Sequence, residues 1–447
     1  MKKSLSILTA LVLFLSIATF DFSFAAGSVN YIKVGLAYGS GAVTDCEIAC
    51  GDGIMIAKAG QAGFEEVLAL PECKQLSIGV ESGKIMARDG SGRIVYDDFD
   101  ADTCVSSYNS NNGGVLNFKG ALYRGGLCFS LSGSRAVNVI NCIELEDYLY
   151  GVLNSEMNYS NPIEALKAQA VTARSFAVCN KGKHAESGFD FCPYVHCQLY
   201  KGYSDEHRET NRAVDETAGE TLIYGGETVS GYYFKNSGGH TQAAEDVWGG
   251  RLPYLTGVED EYSPYYSWRY TISFQEISSK LNAAGYDIGK VQSVAIKDRS
   301  SSGAVSSIEF TGTSGIAELK NEKIRTVLGS ADVKSLMFSF SDGEIVSQVG
   351  GGGTVHVAGG GGIIEKRKPD DIYILSVGTA IPLTNYFQTG GEEYKELETV
   401  TKEPLAFNGA GYGHGVGMPQ DSAVVMANRG FSYKEILKYY YNGVDIE

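Results

Sequence analysis

The stretch Glu156–Arg174, EMNYSNPIEALKAQAVTAR, constrains the fold of this 447-residue chain more than any other. It places a carboxylate in a short loop ahead of a strongly signalled helix, and an arginine on that helix's apolar face. Asn161 is positioned to cap the helix, Pro162 suits its first turn, and Glu164 stands three residues past the cap, as in a capping box. At about 100° per residue, Ile163, Leu166, Ala170, Ala173 and Ala177 share one stripe. Arg174 falls within it, about 20° from Ile163. A guanidinium cannot shed its charge, so a buried one needs an acceptor. Two readings follow: a structural ion pair, or a place in a polar cleft where Arg174 orients Glu156 or an anionic substrate.

The rest of the chain sets the context. Lys2 and Lys3, an apolar run from Leu5 to Phe20, and Ser23-Phe24-Ala25 have the layout of a secretory signal cleaved before Ala26; left uncleaved, it would anchor the chain. Losing Lys2, Lys3 and Asp21 moves the formal net charge from −16 to −17. Such a chain does not take nucleic acid by bulk electrostatics. The 422 residues left are too many for one compact core and imply two or three lobes. Nine cysteines are compatible with pairing outside the cell, and an odd number leaves one unpaired or metal-bound.

Residues 29–145 read as short strands, with β-like runs at Tyr31–Tyr38, Gln75–Val80, Gly83–Arg88, Arg93–Tyr96, Gly114–Phe118 and Arg135–Ile140. A short helix over Glu144–Leu153, bearing Glu144, Glu146 and Asp147 on a solvated face, leads into the Glu156 loop. Gly225-Gly226 between GETLIY and ETVSGYYF marks a hairpin, followed by the polar loop Asn236–Thr241. A helix at Gln275–Ala284 and strands at Val291–Asp298, Val305–Thr311 and Ser335–Phe340 indicate a second α/β segment. The glycine runs 350–353 and 359–362 bracket a short TVHVA piece. The tail carries GAGYGHGVGMPQDSA, a helix over Gln420–Asn428, and a second capping box at Ser432 and Glu435.

Among chemical motifs, the tail glycines lack the lysine of a phosphate loop, and no Gly-x-Ser-x-Gly elbow is present. Cys192, His196 and Cys197, with His184 upstream, are zinc-ligand types at close spacing; a Cys192–Cys197 disulfide is the alternative.

A series of ordered motifs resembles the stage II sporulation protein D (SpoIID/LytB) family. These are E-M at 156–157, E-A-L-K-A-Q-A-V at 164–171, A-R at 173–174, H-C-Q at 196–198 and Y-x-G at 200–202. Further along come A-V-x-x-T-x-G at 213–219, S-G-G at 237–239, D-V-W-G at 246–249, P-Y-L at 253–255 and G-H-G-V-G-M at 413–418. One departure is Pro419–Ala423, where the family continues Ser-Gln-Trp-Gly-Ala.

The resemblance implies an α+β, SpoIID-type fold of short strands and helices with a cleft between lobes. It divides the chain into a signal segment 1–25, a β-rich part 26–142, a catalytic core 143–260, a second lobe 261–348, a Gly-rich insertion 349–400 and a segment 401–447 that completes the cleft. It implies a secreted peptidoglycan lytic transglycosylase acting in sporulation or wall remodelling. Such an enzyme cuts the MurNAc-GlcNAc β-1,4 bond and leaves a 1,6-anhydroMurNAc end. Glu156 matches the general acid/base, and Arg174 a position beside it. Gln198, Tyr200, Tyr233, Lys235, Ser237, His240 and His414 are expected to line the glycan cleft. His184, Cys192, His196 and Cys197 would hold a structural zinc, with no organic cofactor. The alternative from the amidase-enhancer relatives is a non-catalytic wall-binding protein that stimulates a cell-wall amidase.

Overall fold

The computed structural model describes residues 31–60, 63–109, 113–340 and 399–447, with the backbone of a few short strands between 346 and 382. The expected signal segment 1–25 and both glycine runs lie outside the described residues. Among the described residues no helix is long and apolar enough to cross a membrane.

The chain is α+β. Its N-terminal part is built of β1 (Tyr31–Ala37), β2 (Asp45–Ala49), β3 (Ile54–Gly60), β4 (Gly63–Leu70), β5 (Gln75–Glu81) and β6 (Lys84–Arg88). The second half comprises β7 (Ile94–Tyr96), β8 (Thr103–Ser107), β9 (Leu116–Phe118), β10 (Ala121–Tyr123), β11 (Gly126–Ser132) and β12 (Ala136–Glu144). They form two six-stranded sheets, ordered β1-β12-β11-β8-β3-β4 and β10-β9-β2-β5-β6-β7. Ile48, Leu76 and Ile78 of one sheet meet Ile54, Ile56, Val105, Leu127 and Val139 of the other in a single apolar layer. Cys104 and Cys128, paired across β8 and β11, form a disulfide.

β12 runs directly into the helical core. There α1 (Leu145–Glu156) and α2 (Ile163–Asn180) are followed by α3 (Arg208–Asp215) and the short α4 (Ala244–Trp248). Two local expectations are corrected. α1 continues to Glu156, because Asn154 Nδ2 donates to Asp205 O (2.8 Å) and Ser155 Oγ to Asp205 Oδ2 (2.7 Å), stitching down its last turn. Glu156 therefore ends a helix and does not sit in a loop. Asn161 does not cap α2: its amide is spent on Asn158 O (2.8 Å), and Pro162 takes the cap position. Glu164 accepts instead from Tyr433 N (2.8 Å). α2 also proves to be buried around its whole girth, with every residue from Ala165 to Ala177 buried except Lys167. Alanines at 165, 168, 170, 173 and 177 let neighbouring helices close in on every side.

The second lobe, with its own core around Phe310, Leu319, Phe338 and Phe407, is an insertion. It contains α5 (Phe274–Ala283), capped by Ser273 and Glu276, and α6 (Glu322–Leu328). Strand Ser267–Ile272 leaves the first lobe, and strand Leu405–Ala410 returns antiparallel beside it. The chain then re-enters the first lobe as Met418–Pro419, parallel to Tyr233–Phe234. α7 (Gln420–Asn428) and α8 (Tyr433–Tyr440) close the core against α2.

Candidate active site

The last turn of α1 points Glu156 into a polar recess where α1, the loop 183–200, strand Tyr233–Phe234 and α7 meet. Glu156 is half-buried. Its Oε1 accepts from Leu199 N at 2.7 Å, and the Tyr233 hydroxyl hydrogen-bonds the same carboxyl group. Its backbone carbonyl accepts from Gln420 Nε2 at 3.1 Å, tying the site to the first residue of α7. Burial raises the Glu156 pKa above the ordinary carboxyl value; the bonds from Leu199 and Tyr233 offset part of that rise.

Behind Glu156 a chain of hydrogen bonds runs in one direction. The Tyr148 hydroxyl donates to Gln198 Oε1 (3.1 Å), and Gln198 Nε2 donates to Ala173 O (3.2 Å) and to the Tyr233 hydroxyl (3.3 Å). Tyr233 in turn meets Glu156. Gln198 and Tyr233 thus hold the acid from behind. Tyr148 was not singled out from the sequence, and a tyrosine on an apolar helix face carries no signal that would have done so.

Tyr200 belongs to the core: it is 4% exposed, its hydroxyl donates to Asn141 Oδ1 (2.6 Å), and its ring stacks on Tyr148. Lys235 is half-exposed and pairs with Asp421 (2.6 Å). Ser237 is buried and donates to Asp260 Oδ2 at 2.6 Å. Asp260, itself 2% exposed, also accepts from Ser422 (2.6 Å) and Tyr440 (2.9 Å), so it fastens the Ser-Gly-Gly loop to α7 and α8. His240 bonds the carbonyl of Thr241 next to it. His414 lies between Phe234 and Trp248, with Nε2 against Tyr233 O (3.1 Å) and Nδ1 accepting from Val416 N (3.1 Å). Burial lowers its pKa to about 4, so it is a neutral clamp on the strand carrying Tyr233. Gly417 beside it has φ +85°, and a Cβ there would strike Tyr232 O.

Arg174 is not at this recess. It is 1% exposed and grips Glu146 through Nε (2.8 Å) and Nη2 (2.7 Å), with the carbonyls of Glu220 and Val214 satisfying further N–H groups. Of the two readings of this arginine, the structural ion pair is the one found. Glu146, expected on a solvated face, is its partner.

The loop 183–200 is pinned to the sandwich where Gly35 N donates to Phe191 O (2.9 Å). It brings together His184, Cys192, His196 and Cys197, whose ligand atoms all lie within 4.8 Å of one another. His184 Nε2 is 3.3 Å from Cys197 Sγ, and His196 Nδ1 is 3.7 and 3.6 Å from the sulfurs of Cys192 and Cys197. Both thiols are free. Two imidazoles and two thiols converging on one point match the donor set and count of a closed tetrahedral zinc site. Gln198 and Leu199, which hold Glu156, follow Cys197 directly in the chain.

Comparison with known proteins agrees with this architecture. The family model described as stage II sporulation protein matches residues 133–224, and a domain of unknown function matches 243–361. An uncharacterized protein of Brachyspira hyodysenteriae is 30% identical over 76% of this chain and 75% of its own length. The amidase enhancer of Bacillus subtilis is 31% identical over 67% of this chain, but only 40% of the enhancer is spanned. Stage II sporulation protein D of Bacillus amyloliquefaciens is 29% identical over 68% of this chain and 74% of that protein. The chain belongs to the stage II sporulation protein D family.

Proposed function

We propose that the protein is a secreted lytic transglycosylase that cleaves the MurNAc-GlcNAc β-1,4 bond of peptidoglycan, with Glu156 as its one acid/base group, in sporulation or wall remodelling. The observation that carries this reading is a single half-buried carboxyl group with a raised pKa, held by Leu199 N and Tyr233. Among the described residues no second carboxylate bonds to Glu156 or to its partners Leu199, Tyr233 and Gln198. A hydrolase that activates water usually needs two carboxylates. One suffices when the substrate's own C6 hydroxyl is the nucleophile. Glu156–COOH gives its proton to the glycosidic oxygen as the C1–O bond breaks; the carboxylate then takes the C6 hydroxyl proton as the C6–O–C1 bond forms. The acid is regenerated and no water enters.

His184, Cys192, His196 and Cys197 would hold a structural zinc, which when bound supplies a cross-link for the loop 183–200. That loop places Leu199 N and the Gln198 amide on the acid side of the recess. The test is digestion of peptide-free glycan: anhydro-muramyl products are expected from the native protein and their loss from Glu156→Gln. Equal product from both, or none from either, overturns the reading.

A second reading is favoured by the likeness to a protein named amidase enhancer. In it the same recess binds wall glycan and stimulates a cell-wall amidase without chemistry of its own. Stimulation that persists at full strength in Glu156→Gln, with no anhydro product from either form, supports it.

A further inference from the structure

Where the inserted lobe meets the first, three side chains are gathered by backbone bonds. Gly411 N donates to Tyr266 O (2.9 Å) and Gly413 N to Lys334 O (2.8 Å). Tyr412, between them, exchanges hydrogen bonds with Asn236: Tyr412 N to Asn236 O (2.8 Å) and Asn236 N to Tyr412 O (3.0 Å). The rings of Tyr266 and Tyr412 stand 6.0 Å apart and 36° from parallel. The Lys334 ammonium lies 5.5 Å from both ring centres and 3.3 Å from the Tyr266 hydroxyl.

Two features set this cluster apart from a simple latch. The backbone bonds already join the lobes there. Among the described residues no carboxylate pairs with Lys334, in a chain whose formal charge is −16. Tyr412 is 36% exposed and neighbouring Tyr265 50%, so aromatic surface faces solvent beside the partly buried Lys334. The cluster is also close to the chemistry. Asn236 is three residues along the chain from Tyr233, about 10 Å of extended backbone, and Tyr233 touches Glu156.

We propose that Tyr266, Tyr412 and Lys334 form a subsite for a carboxylate-bearing amino sugar on the glycan strand. The tyrosine rings offer flat apolar faces with polar rims for a sugar ring. The ammonium is held over the aromatic faces, where it is attracted by the rings and keeps donors free for a carboxylate. The second lobe would thereby select acidic amino sugars over neutral ones beyond the cleavage point. The inference rests on the reading of the recess as a glycan site. The carboxylate would come from either the lactyl ether of the muramyl unit or an attached stem peptide.

The experiment measures calorimetric affinity in a Glu156→Gln background, which stops turnover. Three strands of equal length are compared: a neutral N-acetylglucosamine oligomer, a peptide-free muramyl-containing strand, and the same strand with stem peptides. Lys334→Gln is expected to weaken the peptide-free muramyl strand about fivefold to tenfold and the neutral oligomer less than about twofold, with Lys334→Arg restoring most of the loss. A loss confined to the peptide-bearing strand assigns the carboxylate to the stem peptide and also supports the subsite. Tyr412→Ala, at an exposed ring, should weaken all three strands without lowering the melting temperature. The inference is overturned if Lys334→Gln affects neutral and acidic strands equally or neither, while the parent binds both. If the parent binds no strand at all, the glycan reading fails along with it.

Discussion

Arg174 is bonded to Glu146, in a two-pronged contact of 2.8 and 2.7 Å, and not to Glu156. The pair ties α2 to the first turn of α1, and the carbonyls of Val214 and Glu220 bring the end of α3 and the approach to the hairpin into the same knot. Arg174 therefore acts through packing of the helical core, and the raised pKa of Glu156 comes from its burial, with no guanidinium among the described residues bonded to it.

Removing this arginine should cost stability before chemistry. Arg174→Ala is expected to lose about 2–3 kcal/mol, somewhat below the cost of breaking a fully enclosed pair, because the Glu146 side chain is 35% exposed. Chemical denaturation reads the loss. Below the melting temperature, activity per folded molecule should stay within about threefold of native. A 100-fold loss in a fully folded variant would return Arg174 to the site.

The acid should be costly to the fold at neutral pH. Burial raises the folded-state pKa of Glu156 above its unfolded value. Its contribution to stability is then present below the unfolded pKa and lost as pH rises through the folded one. Glu156→Gln should therefore melt higher than native at pH 7, and the gap should close toward pH 4, where the native carboxyl is protonated in both states. A lower melting temperature at pH 7 would mean that the carboxylate is a structural asset.

Tyr233 donates to the carboxylate form of Glu156 and so holds its pKa down. Tyr233→Phe should shift the alkaline limb of the kcat profile upward, since removing a bond to the charged form favours the proton. The maximum rate should fall by roughly tenfold. An unchanged limb with a raised KM would make Tyr233 a substrate contact instead.

Metal removal is expected to act through the loop. Purified protein should carry about one zinc per chain, and chelation should lower the melting temperature by about 5 °C or more. Cys197→Ser should reproduce the loss. Protein that holds no zinc, with Cys192 and Cys197 oxidised to each other, contradicts the site.

Asp260 makes a fifth test. Asp260→Ala leaves the hydroxyls of Ser237, Ser422 and Tyr440 without their acceptor. A loss of about 3–5 kcal/mol is expected, each buried unpaired group costing about 1–3, with Asp260→Asn losing less. A loss under 1 kcal/mol would show that the loop is held by its backbone alone.

How much of this was legible in the sequence depends on how local each signal is. α7 runs over the expected Gln420–Asn428, and α8 starts from the expected Ser432–Glu435 box, because caps and apolar spacing act within one or two turns. The Gly225-Gly226 hairpin is equally local, with both glycines at positive φ. β3, β4, β8, β10 and β11 escaped notice because they alternate poorly; β3, for instance, begins with four buried residues in a row. β2 does alternate, but over only five residues, two of them acidic. Arg174 showed that it needed an acceptor, but which carboxylate would answer is a tertiary matter that helical spacing cannot encode. The same holds for Leu199 N, Gln420 and Tyr148, which meet Glu156 or its partners only once the chain is folded.

The most direct test of the central claim is digestion of peptide-free glycan in heavy-oxygen water, with product masses read at the new muramyl ends. Attack by the substrate's own C6 hydroxyl predicts ends one water lighter than hydrolysed ones, carrying no solvent oxygen, and absent with Glu156→Gln. Reducing ends that carry the solvent's heavy oxygen would contradict the account, since they would require a water nucleophile that a single carboxyl group held by Leu199 and Tyr233 is not arranged to supply.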